Sequence, residues 1–331
     1  MSTMGQPSGE DKLIERFFKP LAQHPAALSL SDDAACLTPP PWYDLVLTAD
    51  MVVAGVHFLA DDPAETIAKK ALRVNLSDLA AKGAEPIGAL LAISFPGAVE
   101  EKWIEAFAHG LGEDCAAFAC PLLGGDTTKT PGPLSISITA IGKVPAGKMV
   151  KRAGAKPGDL VVVSGTIGDG ALGLLVSRND PALAVLSAEQ REELRRRYRV
   201  PEPRMALAPL LREYAHAAMD ISDGLAGDLA KLARVSGVGA TIETAKLPLS
   251  NPAHDALASE PGLLAAALTG GDDYEVLAAV PEALFASFAE AAGKSGVPVT
   301  AIGRFGEGEG VCVLGPEGEE LSFEKASYSH F

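Results

Sequence analysis

The sequence predicts a protein of the α/β (α+β) class, folded as two domains that each mix strands and helices. The chain has 331 residues, enough for roughly two domains at ~150 residues each. Short apolar runs typical of strands alternate with longer runs of helical periodicity in both halves. A polar stretch with Gly and Pro, Lys148–Asp159, lies between the halves. We therefore expect domains at residues 1–148 and 149–331, with the boundary placed to about ten residues.

Periodicity and the placement of Pro and Gly predict the elements of the N-terminal half. Pro63 suits the first turn of a helix, and Gly83 suits its end. Ile136, Ile138 and Ala140 alternate with polar residues, as in a half-buried strand. The predicted elements are a helix at 11–21, a strand at 45–53, a helix at 63–84, a strand at 87–95, a helix at 100–119 and a strand at 134–144.

The C-terminal half alternates in the same way, with shorter segments. Its predicted strands are 160–164, 217–221, 274–280, 299–304 and 311–314. Its predicted helices are 171–177, 189–199, 224–235 and 282–293, and a segment at 265–271 leads into a strand. Because strands and helices recur in both halves without a short repeat, we expect a mixed α/β fold in each half.

Composition and charge exclude several classes of protein. Hydrophobic residues make up 47% and charged residues 21% of the chain, as in an ordered globular protein. The net charge of −15 disfavours binding to nucleic acid or to an anionic membrane. No uncharged apolar run reaches the roughly 18 residues of a spanning helix, and the polar N-terminus is unlike a signal peptide. The four cysteines form no CxxC pair, so we expect reduced, mostly buried thiols in a cytoplasmic protein.

Three motifs match known patterns but lack the context that those patterns need. Gly168–Gly173 has the glycine spacing of a dinucleotide site, yet a helix is predicted where a second strand ending in an acid is required. We interpret these glycines as serving a tight turn or a phosphate approach in another fold. Gly293–Ser295 lacks the first glycine of a P-loop and is interpreted as a surface turn. Asp220–Gly224 has Asp where a nucleophile elbow has Gly, and the histidines show no metal-pair spacing.

The strongest functional signal is a set of acids at the ends of elements, each beside Gly, Ser, Thr or Asn. Asp50 and Asp220 follow apolar strand runs, where an unpaired buried carboxylate would cost several kcal/mol. Lys and Arg are scarce nearby, so we expect a divalent ion rather than a side-chain cation to neutralise these carboxylates. The groups are Ser31–Asp33, Thr48–Asp50, Asn75–Asp78, Gly124–Thr128, Asp220–Gly224 and Gly270–Asp273.

The chemistry of these groups favours magnesium bound together with phosphates. All-oxygen ligands favour Mg²⁺, Mn²⁺ or Ca²⁺, and the calcium-loop pattern is absent from the sequence. Asn75 and Asp78 lie three positions apart on a helix, so both can face one site. Any single group could be a helix cap or a turn, but six together favour a shared metal–phosphate site. Arg152 either clamps a phosphate there or is a solvated linker residue.

Seven segments, taken in order, resemble the thiamine-monophosphate kinase family. They are SDDAA (31–35), LTADMVVAGVHF (47–58), KALRVNLSDLAAKGAEP (70–86), GGDTTK (124–129), KRAGAKPGD (151–159), DISDGLAGDL (220–229) and GGDDYE (270–275). The wider superfamily also holds aminoimidazole-ribonucleotide (AIR) synthetase, selenophosphate synthetase and a hydrogenase-maturation dehydratase. This chain lacks the reactive N-terminal Cys-Lys of selenophosphate synthetase and the C-terminal Cys of the hydrogenase-maturation dehydratase.

The resemblance implies ATP-dependent phosphorylation of thiamine monophosphate to thiamine diphosphate with several Mg²⁺ ions. It also implies two AIR synthetase-like domains and a homodimer whose N-terminal sheets pack into a barrel. The implied metal ligands are Asp33, Thr48, Asp50, Asp78, Asp126, Asp220 and Asp223. The implied ATP contacts are Gly125, Asp126, Arg152 and Ser222. The implied contacts to thiamine monophosphate are His57, Asp272 and Tyr328.

Two departures from the family pattern bear on these assignments. The family usually has Gly-Asp-Asp where this chain has Ser31–Asp33, and Glu where this chain has the shorter Asp272. No general base is expected, because the accepting phosphate monoester is itself a nucleophile. His57 is then either a substrate contact or a packed structural imidazole. The alternative functions are another ATP-using enzyme of the superfamily and a non-catalytic nucleotide- or metal-binding regulator.

Overall fold

The computed structural model describes residues 12–32, 34–97 and 99–323, and the chain divides into two compact units. The first unit contains the chain up to Leu76 together with Pro86–Ala146. The second unit contains Ser77–Glu85 and the chain from Gly147 onward. Each unit combines a β-sheet with helices, so the α/β class expected from the sequence is confirmed.

The first unit is built on a four-stranded sheet in the order β1-β4-β2-β3. β1 and β4 pair antiparallel, whereas β2 and β3 run parallel. The predicted helix at 11–21 is instead a π-helical turn, Ile14–Phe18, followed by a 3-10 turn, Lys19–Leu21. The strands are β1 (Tyr43–Val53), β2 (Glu85–Pro96), β3 (Leu122–Thr130) and β4 (Ser135–Pro145), and the helices are α1 (Ala64–Ala81) and α2 (Glu101–Ala117).

The two faces of β1 differ in exposure, because strand side chains alternate between them. Val46 and Val52 are buried on one face. Leu45, Leu47 and Met51 lie on the other face, where Leu47 is 63% exposed and Met51 is 58% exposed. Such a row of exposed apolar side chains is typical of an interaction surface.

The second unit is built on a seven-stranded sheet in the order β11-β10-β7-β9-β5-β8-β6. Val161 and Val163 of β5 pack into one apolar cluster and Val162 into another, so both faces of the sheet are covered. The strands are β5 (Leu160–Ser164), β6 (Ala217–Asp220), β7 (Gly239–Glu243), β8 (Val276–Val280), β9 (Val299–Gly306), β10 (Val311–Leu314) and β11 (Glu320–Leu321). The helices are α3 (Asp169–Ser177), α4 (Ala188–Arg199), α5 (Ala208–Tyr214), α6 (Leu225–Ser236), α7 (Asn251–Ser259), α8 (Leu263–Thr269) and α9 (Glu282–Lys294).

The two glycine motifs serve the fold, as the sequence predicted. Gly168–Gly173 opens α3, where a Cβ at Gly170 would lie 2.2 Å from the Asp272 carbonyl oxygen. A Cβ at Gly173 would lie 2.1 Å from the Leu194 carbonyl oxygen. These glycines therefore permit a close approach of backbone segments. Gly293 and Lys294 are the last two residues of α9 and Ser295 is its C-cap, so the predicted surface turn begins only at Ser295.

The cysteines are free thiols in two kinds of surroundings. Burial raises the pKa of Cys115 and of Cys120 to about 12, so both are poor nucleophiles at neutral pH. Cys36 is exposed and Cys312 is partly exposed. The expectation of buried thiols therefore holds for Cys115 and Cys120 but not for these two. Among the described residues, no helix is long and apolar enough to cross a membrane.

Candidate functional site

The site residues named from the sequence are distributed over both units. The first unit holds Thr48, Asp50, His57, Gly125 and Asp126. The second unit holds Asp78, Arg152, Asp220, Ser222, Asp223 and Asp272. Asp33 and Tyr328 lie outside the described residues. Within each unit, hydrogen bonds and buried charges fix the segments that carry these side chains.

Thr48 and Asp50 lie two positions apart on β1, and both are partly exposed. The Asp50 N–H donates to the Oδ1 atom of Asn75 over 3.1 Å. Asn75 is fully buried on α1, so its amide fixes the backbone of β1 against this helix. Asn75 therefore lies beside Asp50, and its shared orientation with Asp78 toward a metal stays a prediction.

Gly125 and Asp126 lie on β3, close to the backbone of β2. A Cβ at Gly125 would lie 1.7 Å from the Leu91 carbonyl oxygen, so any side chain there would displace β3. Asp126 is exposed and, with Asp32, lines a largely apolar cavity of about 660 Å³. This volume is typical of small-molecule sites. The two carboxylates favour a cation in the cavity, and a divalent ion bound there would attract an anionic ligand.

The turn after β1 is held by His57 and Lys70. The Nδ1 atom of His57 accepts a 3.1 Å hydrogen bond from the Val53 N–H, so the proton of the neutral ring lies on Nε2. The buried Lys70 donates from Nζ to the His57 carbonyl oxygen over 2.8 Å. These contacts show that His57 has a structural role, which was one of the two alternatives predicted for it. They also fix the ring, so that Nε2–H is a donor suited to a phosphate oxygen.

The turn after β6 carries Ser222 and Asp223 and is held by a buried carboxylate on α6. The Oδ2 atom of Asp228 accepts hydrogen bonds from the Ser222 N–H over 3.0 Å and from the Asp223 N–H over 2.9 Å. Lys231 donates to Asp228 Oδ1 over 2.9 Å and also to the Asp223 carboxylate. Burial raises the pKa of Asp228 despite these contacts. Asp223, implied as a metal ligand, is therefore an ion-pair partner of Lys231 in this structure.

A second cation, Lys82, lies beside the acids of the second unit. Its Nζ atom donates to the Ala218 carbonyl oxygen over 2.7 Å. Burial lowers the pKa of Lys82, while the carboxylates of Asp220 and Asp78 oppose that shift. Lys82 and Lys231 thus correct the expectation that cations are scarce near these acids. Lys82 follows Asp78 by four positions, a spacing that could have revealed this proximity.

The Gly270–Glu275 loop is joined to the turn after β6. The Asp272 N–H donates to the Ser222 carbonyl oxygen over 2.9 Å. A Cβ at Gly271 would lie 2.4 Å from the same oxygen, and the φ of 75° at Gly271 favours glycine. The structure thus brings Asp272, an implied substrate contact, next to Ser222, an implied ATP contact.

Comparisons with known proteins assign the family. Residues 31–144 match the family described as AIR synthase related protein, N-terminal domain, and residues 156–314 match its C-terminal domain. The chain is 47% identical over 328 residues to the thiamine-monophosphate kinase of Caulobacter vibrioides. The aligned region covers 98% of this chain and 91% of that protein. The chain belongs to the thiamine-monophosphate kinase family.

Solved structures of this kinase family share the fold. The thiamine-monophosphate kinase from Stenotrophomonas maltophilia K279a matches with a TM-score of 0.82 at 40% identity, covering 94% of this chain and 96% of that chain. The structure described as AaThiL complexed with AMPPCP and TMP matches with a TM-score of 0.78 at 34% identity, covering 89% of each chain. The AIR synthetase-like fold expected from the sequence is therefore confirmed.

Asp273, in the GGDDYE motif that resembles the thiamine-monophosphate kinases, is buried rather than presented to a ligand. Its two carboxylate oxygens accept hydrogen bonds from the Gly168 N–H over 2.8 Å and from the Gly170 N–H over 2.9 Å. Burial raises the pKa of Asp273 to about 8, although these N–H groups oppose the shift. Asp273 thus satisfies the N-terminal N–H groups of α3, and no phosphate is needed at Gly168–Gly173.

Glu275, the last residue of the motif, lies at the centre of a buried ion network that the sequence did not reveal. Glu275 is fully buried, and it accepts hydrogen bonds from Arg197 Nη2 over 2.7 Å and from Arg204 Nε over 2.6 Å. The Ser164 hydroxyl also donates to it, over 2.6 Å. The sequence carried one signal for this network: an acid that directly precedes a buried strand, together with an Arg-rich helix elsewhere in the chain. The network fixes the end of the loop that carries Asp272.

The donors implied for a metal by the resemblance are all oxygens, the ligand type that hard divalent ions such as Mg²⁺ prefer. In the parts of the chain that the structure describes, no group of three or more His, Cys, Asp or Glu side chains is placed to hold a metal ion. Mg²⁺ in nucleotide enzymes is usually held by one or two carboxylates, with substrate phosphates and waters as its other ligands. The oxygen donors that the resemblance implies, among the described residues, are Thr48, Asp50 and Asp126 in the first unit and Asp78, Asp220 and Asp223 in the second.

Proposed function

We propose that this chain transfers the γ-phosphoryl group of ATP to the phosphate of thiamine monophosphate and so forms thiamine diphosphate. The 47% identity to a thiamine-monophosphate kinase over 98% of the chain carries this proposal. The related structure described as AaThiL complexed with AMPPCP and TMP supports binding sites for both substrates in this fold.

The chemistry needs alignment of two phosphate groups rather than a general base. The acceptor is a phosphate monoester, which is largely dianionic at neutral pH because its second pKa is about 6. An acceptor oxygen attacks the γ-phosphorus directly and in line, and the bond to the β-phosphate breaks to release ADP. His57, whose ring is held by the Val53 N–H, donates from Nε2 to the acceptor. The Gly125 backbone, Ser222 and Arg152 bind ATP.

Carboxylates of both units would hold the magnesium ions. Bound Mg²⁺ neutralises the repulsion between the two phosphate groups. Asp223 can bind an ion once it gives up Lys231, which keeps Asp228 as its partner. The proposed ligands are Asp33, Thr48, Asp50, Asp78, Asp126, Asp220 and Asp223.

Incubation of the chain with ATP, MgCl₂ and thiamine monophosphate tests the proposed reaction. We expect one thiamine diphosphate for each ADP formed. ADP release with a formylglycinamidine substrate, and none with thiamine monophosphate, would favour the synthetase alternative. Nucleotide binding without ADP formation for any acceptor would favour the regulator.

Reversing the charge of Arg152 tests its assignment to ATP. Arg152 is exposed, so Arg152→Glu should not disturb the fold. We expect the KM for ATP to rise about tenfold, equivalent to about 1.4 kcal/mol of lost binding, with little change in the KM for thiamine monophosphate. Lys294→Glu, at the exposed end of α9, is the matched control. An unchanged KM for ATP in Arg152→Glu excludes this arginine from the nucleotide site.

We also propose that the exposed face of β1 forms a homodimer. Leu47 and Met51 on this face are more than half exposed, and burying such side chains against a second copy is favourable. Leu47→Glu should convert a dimer to a monomer in sedimentation velocity. Leu284→Glu introduces the same change at a side chain 40% exposed on α9 and should leave the dimer intact. A Leu47→Glu chain that stays dimeric contradicts this surface.

We further propose that the protein works in the cytoplasm. All four cysteines are free, and Cys36 is exposed. A reducing compartment preserves exposed thiols in this state, whereas an oxidising one favours disulfides.

A further inference from the structure

The turn after β6 joins an exposed acid to a buried one through a single lysine. The side chain of Asp223 is 36% exposed, whereas that of Asp228 is fully buried. The Nζ atom of Lys231 donates to both carboxylates, and its contact with Asp228 Oδ1 is 2.9 Å long. Lys231 therefore links an acid that ions in the solvent can reach to an acid that they cannot.

The two acids differ in how far they depend on Lys231. The Oδ2 atom of Asp228 already accepts the N–H groups of Ser222 and Asp223, and a buried carboxylate that loses its cation is strongly destabilising. Asp223 has no such need, because water solvates an exposed carboxylate and screens its ion pair. Lys231 can thus release Asp223 while it keeps Asp228, and its ammonium group stays within the turn.

The positive charge of Lys231 persists at neutral pH. Burial opposes that charge, but the hydrogen bonds and charges of Asp223 and Asp228 raise the pKa of Lys231 above its ordinary value. A metal ion bound to Asp223 would therefore have an ammonium group as its neighbour. Like charges at short range repel, so Lys231 disfavours a free ion at Asp223 twice: it competes for the carboxylate, and it repels the bound ion.

A nucleotide offsets this repulsion. The triphosphate of ATP carries more negative charge than one divalent ion neutralises, so the complex of Mg²⁺ with ATP stays anionic. The ammonium of Lys231 then faces phosphate oxygens as well as the ion, and lysine is a common partner of phosphates. Specificity depends on such a difference between the affinities of two ligands.

We propose that Lys231 makes the metal site at Asp223 selective for an ion that carries a nucleotide over the free ion. The inference rests on the proposed function, which assigns Asp223 to magnesium. The alternative is a structural role, in which Lys231 only neutralises Asp228 and holds the turn. The two roles predict different changes in metal affinity. Removal of a competing cation tightens metal binding, whereas damage to the turn weakens it.

Manganese binding to the full chain without nucleotide tests the proposal, because the electron paramagnetic resonance signal of Mn²⁺ in water measures the free ion. Lys231→Met should lower the Kd for Mn²⁺ at least about threefold, the size of a partly exposed ion pair. Lys231→Arg keeps the charge, so its Kd should not fall. Lys246→Met, which removes a lysine from an exposed pair with Glu243 in the same unit, is the matched control. An unchanged or higher Kd in Lys231→Met overturns the proposal.

Two further measurements assign the effect to Asp223 and to the nucleotide. In an Asp223→Asn background, Lys231→Met should change the Kd for Mn²⁺ less than about twofold. An equal fall in both backgrounds would reveal a general effect of net charge and overturn the proposal. With a non-hydrolysable ATP analogue present, Lys231→Met should also change this Kd less than about twofold. A fall as large as that without nucleotide would contradict the selectivity.

Asp228→Asn combined with Lys231→Met provides the test if Lys231→Met alone loses its circular dichroism. This pair of changes removes both members of the buried ion pair, and an amide oxygen can still accept the two N–H groups of the turn. We expect the same fall in Kd, and its absence overturns the proposal.

Metal binding needs no turnover, so its outcome is independent of that of the proposed function. Tighter Mn²⁺ binding by Lys231→Met in a chain that forms no thiamine diphosphate would refute the kinase and retain the role of Lys231. Turnover with an unchanged Kd would retain the kinase and refute that role.

Discussion

Asp50→Asn should lower kcat at least about a thousandfold, which corresponds to about 4 kcal/mol of lost transition-state stabilisation. The variant keeps the shape of the side chain but removes the charge that binds a metal ion. Its fold should survive, because Asp50 is partly exposed and the variant keeps the hydrogen bond from the backbone N–H of residue 50 to Asn75. Asp126→Asn, at an exposed position of β3, should have an effect of similar size. Steady-state formation of thiamine diphosphate measures both losses.

Asp44→Asn is the matched control for this experiment, since Asp44 is exposed on the same strand and has no assigned part in the reaction. We expect it to retain full activity. Circular dichroism and the unfolding midpoint should be the same for all three variants. Asp50→Asn and Asp126→Asn enzymes that keep the activity of the unchanged chain would remove the metal-cluster interpretation.

Glu275→Ala should destabilise the second unit by about 3–5 kcal/mol, the usual consequence of removing one partner from a buried ion pair. The substitution leaves Arg197 and Arg204, both largely buried, without their shared carboxylate. It also removes the acceptor of the Ser164 hydroxyl. Urea denaturation at pH 7, followed by the loss of helical circular dichroism, measures the change.

Glu282→Ala is the control for this second experiment, because it removes an exposed partner of Arg304. Solvent screens that pair, so its loss should leave the free energy of unfolding nearly unchanged. Glu275→Gln keeps the shape of the side chain, so its loss of unfolding free energy should lie between those of Glu275→Ala and Glu282→Ala. If Glu275→Ala unfolds at the same urea concentration as Glu282→Ala, the network does not stabilise the unit.

The sequence predicted those elements in which a buried stripe dominates the pattern. β5 was predicted with the bounds that it has, Leu160–Ser164, because its consecutive apolar residues pack on both faces of the sheet. The long helix α1, Ala64–Ala81, was marked by Pro63 and Gly83 at its flanks. β3 was missed because Gly124–Asp126 consists of residues that strands usually lack. Its strand conformation depends on the parallel partner β2.

The candidate site was predictable in its residue types but not in their partners. Asp223 and Asp228 look equivalent in the sequence, yet Asp228 is fully buried under the turn and Asp223 is partly exposed. Lys231 pairs with both acids because α6 brings it back over the turn. Burial and pairing of this kind depend on tertiary contacts, which periodicity and spacing do not encode.

Anomalous diffraction from crystals grown with MnCl₂ and a non-hydrolysable ATP analogue tests the central claim most directly. The account predicts manganese peaks about 2.0–2.2 Å from carboxylate oxygens of Asp50, Asp126 and Asp220, each also bound by a nucleotide phosphate oxygen. Nucleotide bound through lysines and arginines alone, with those three carboxylates free of metal, would contradict it.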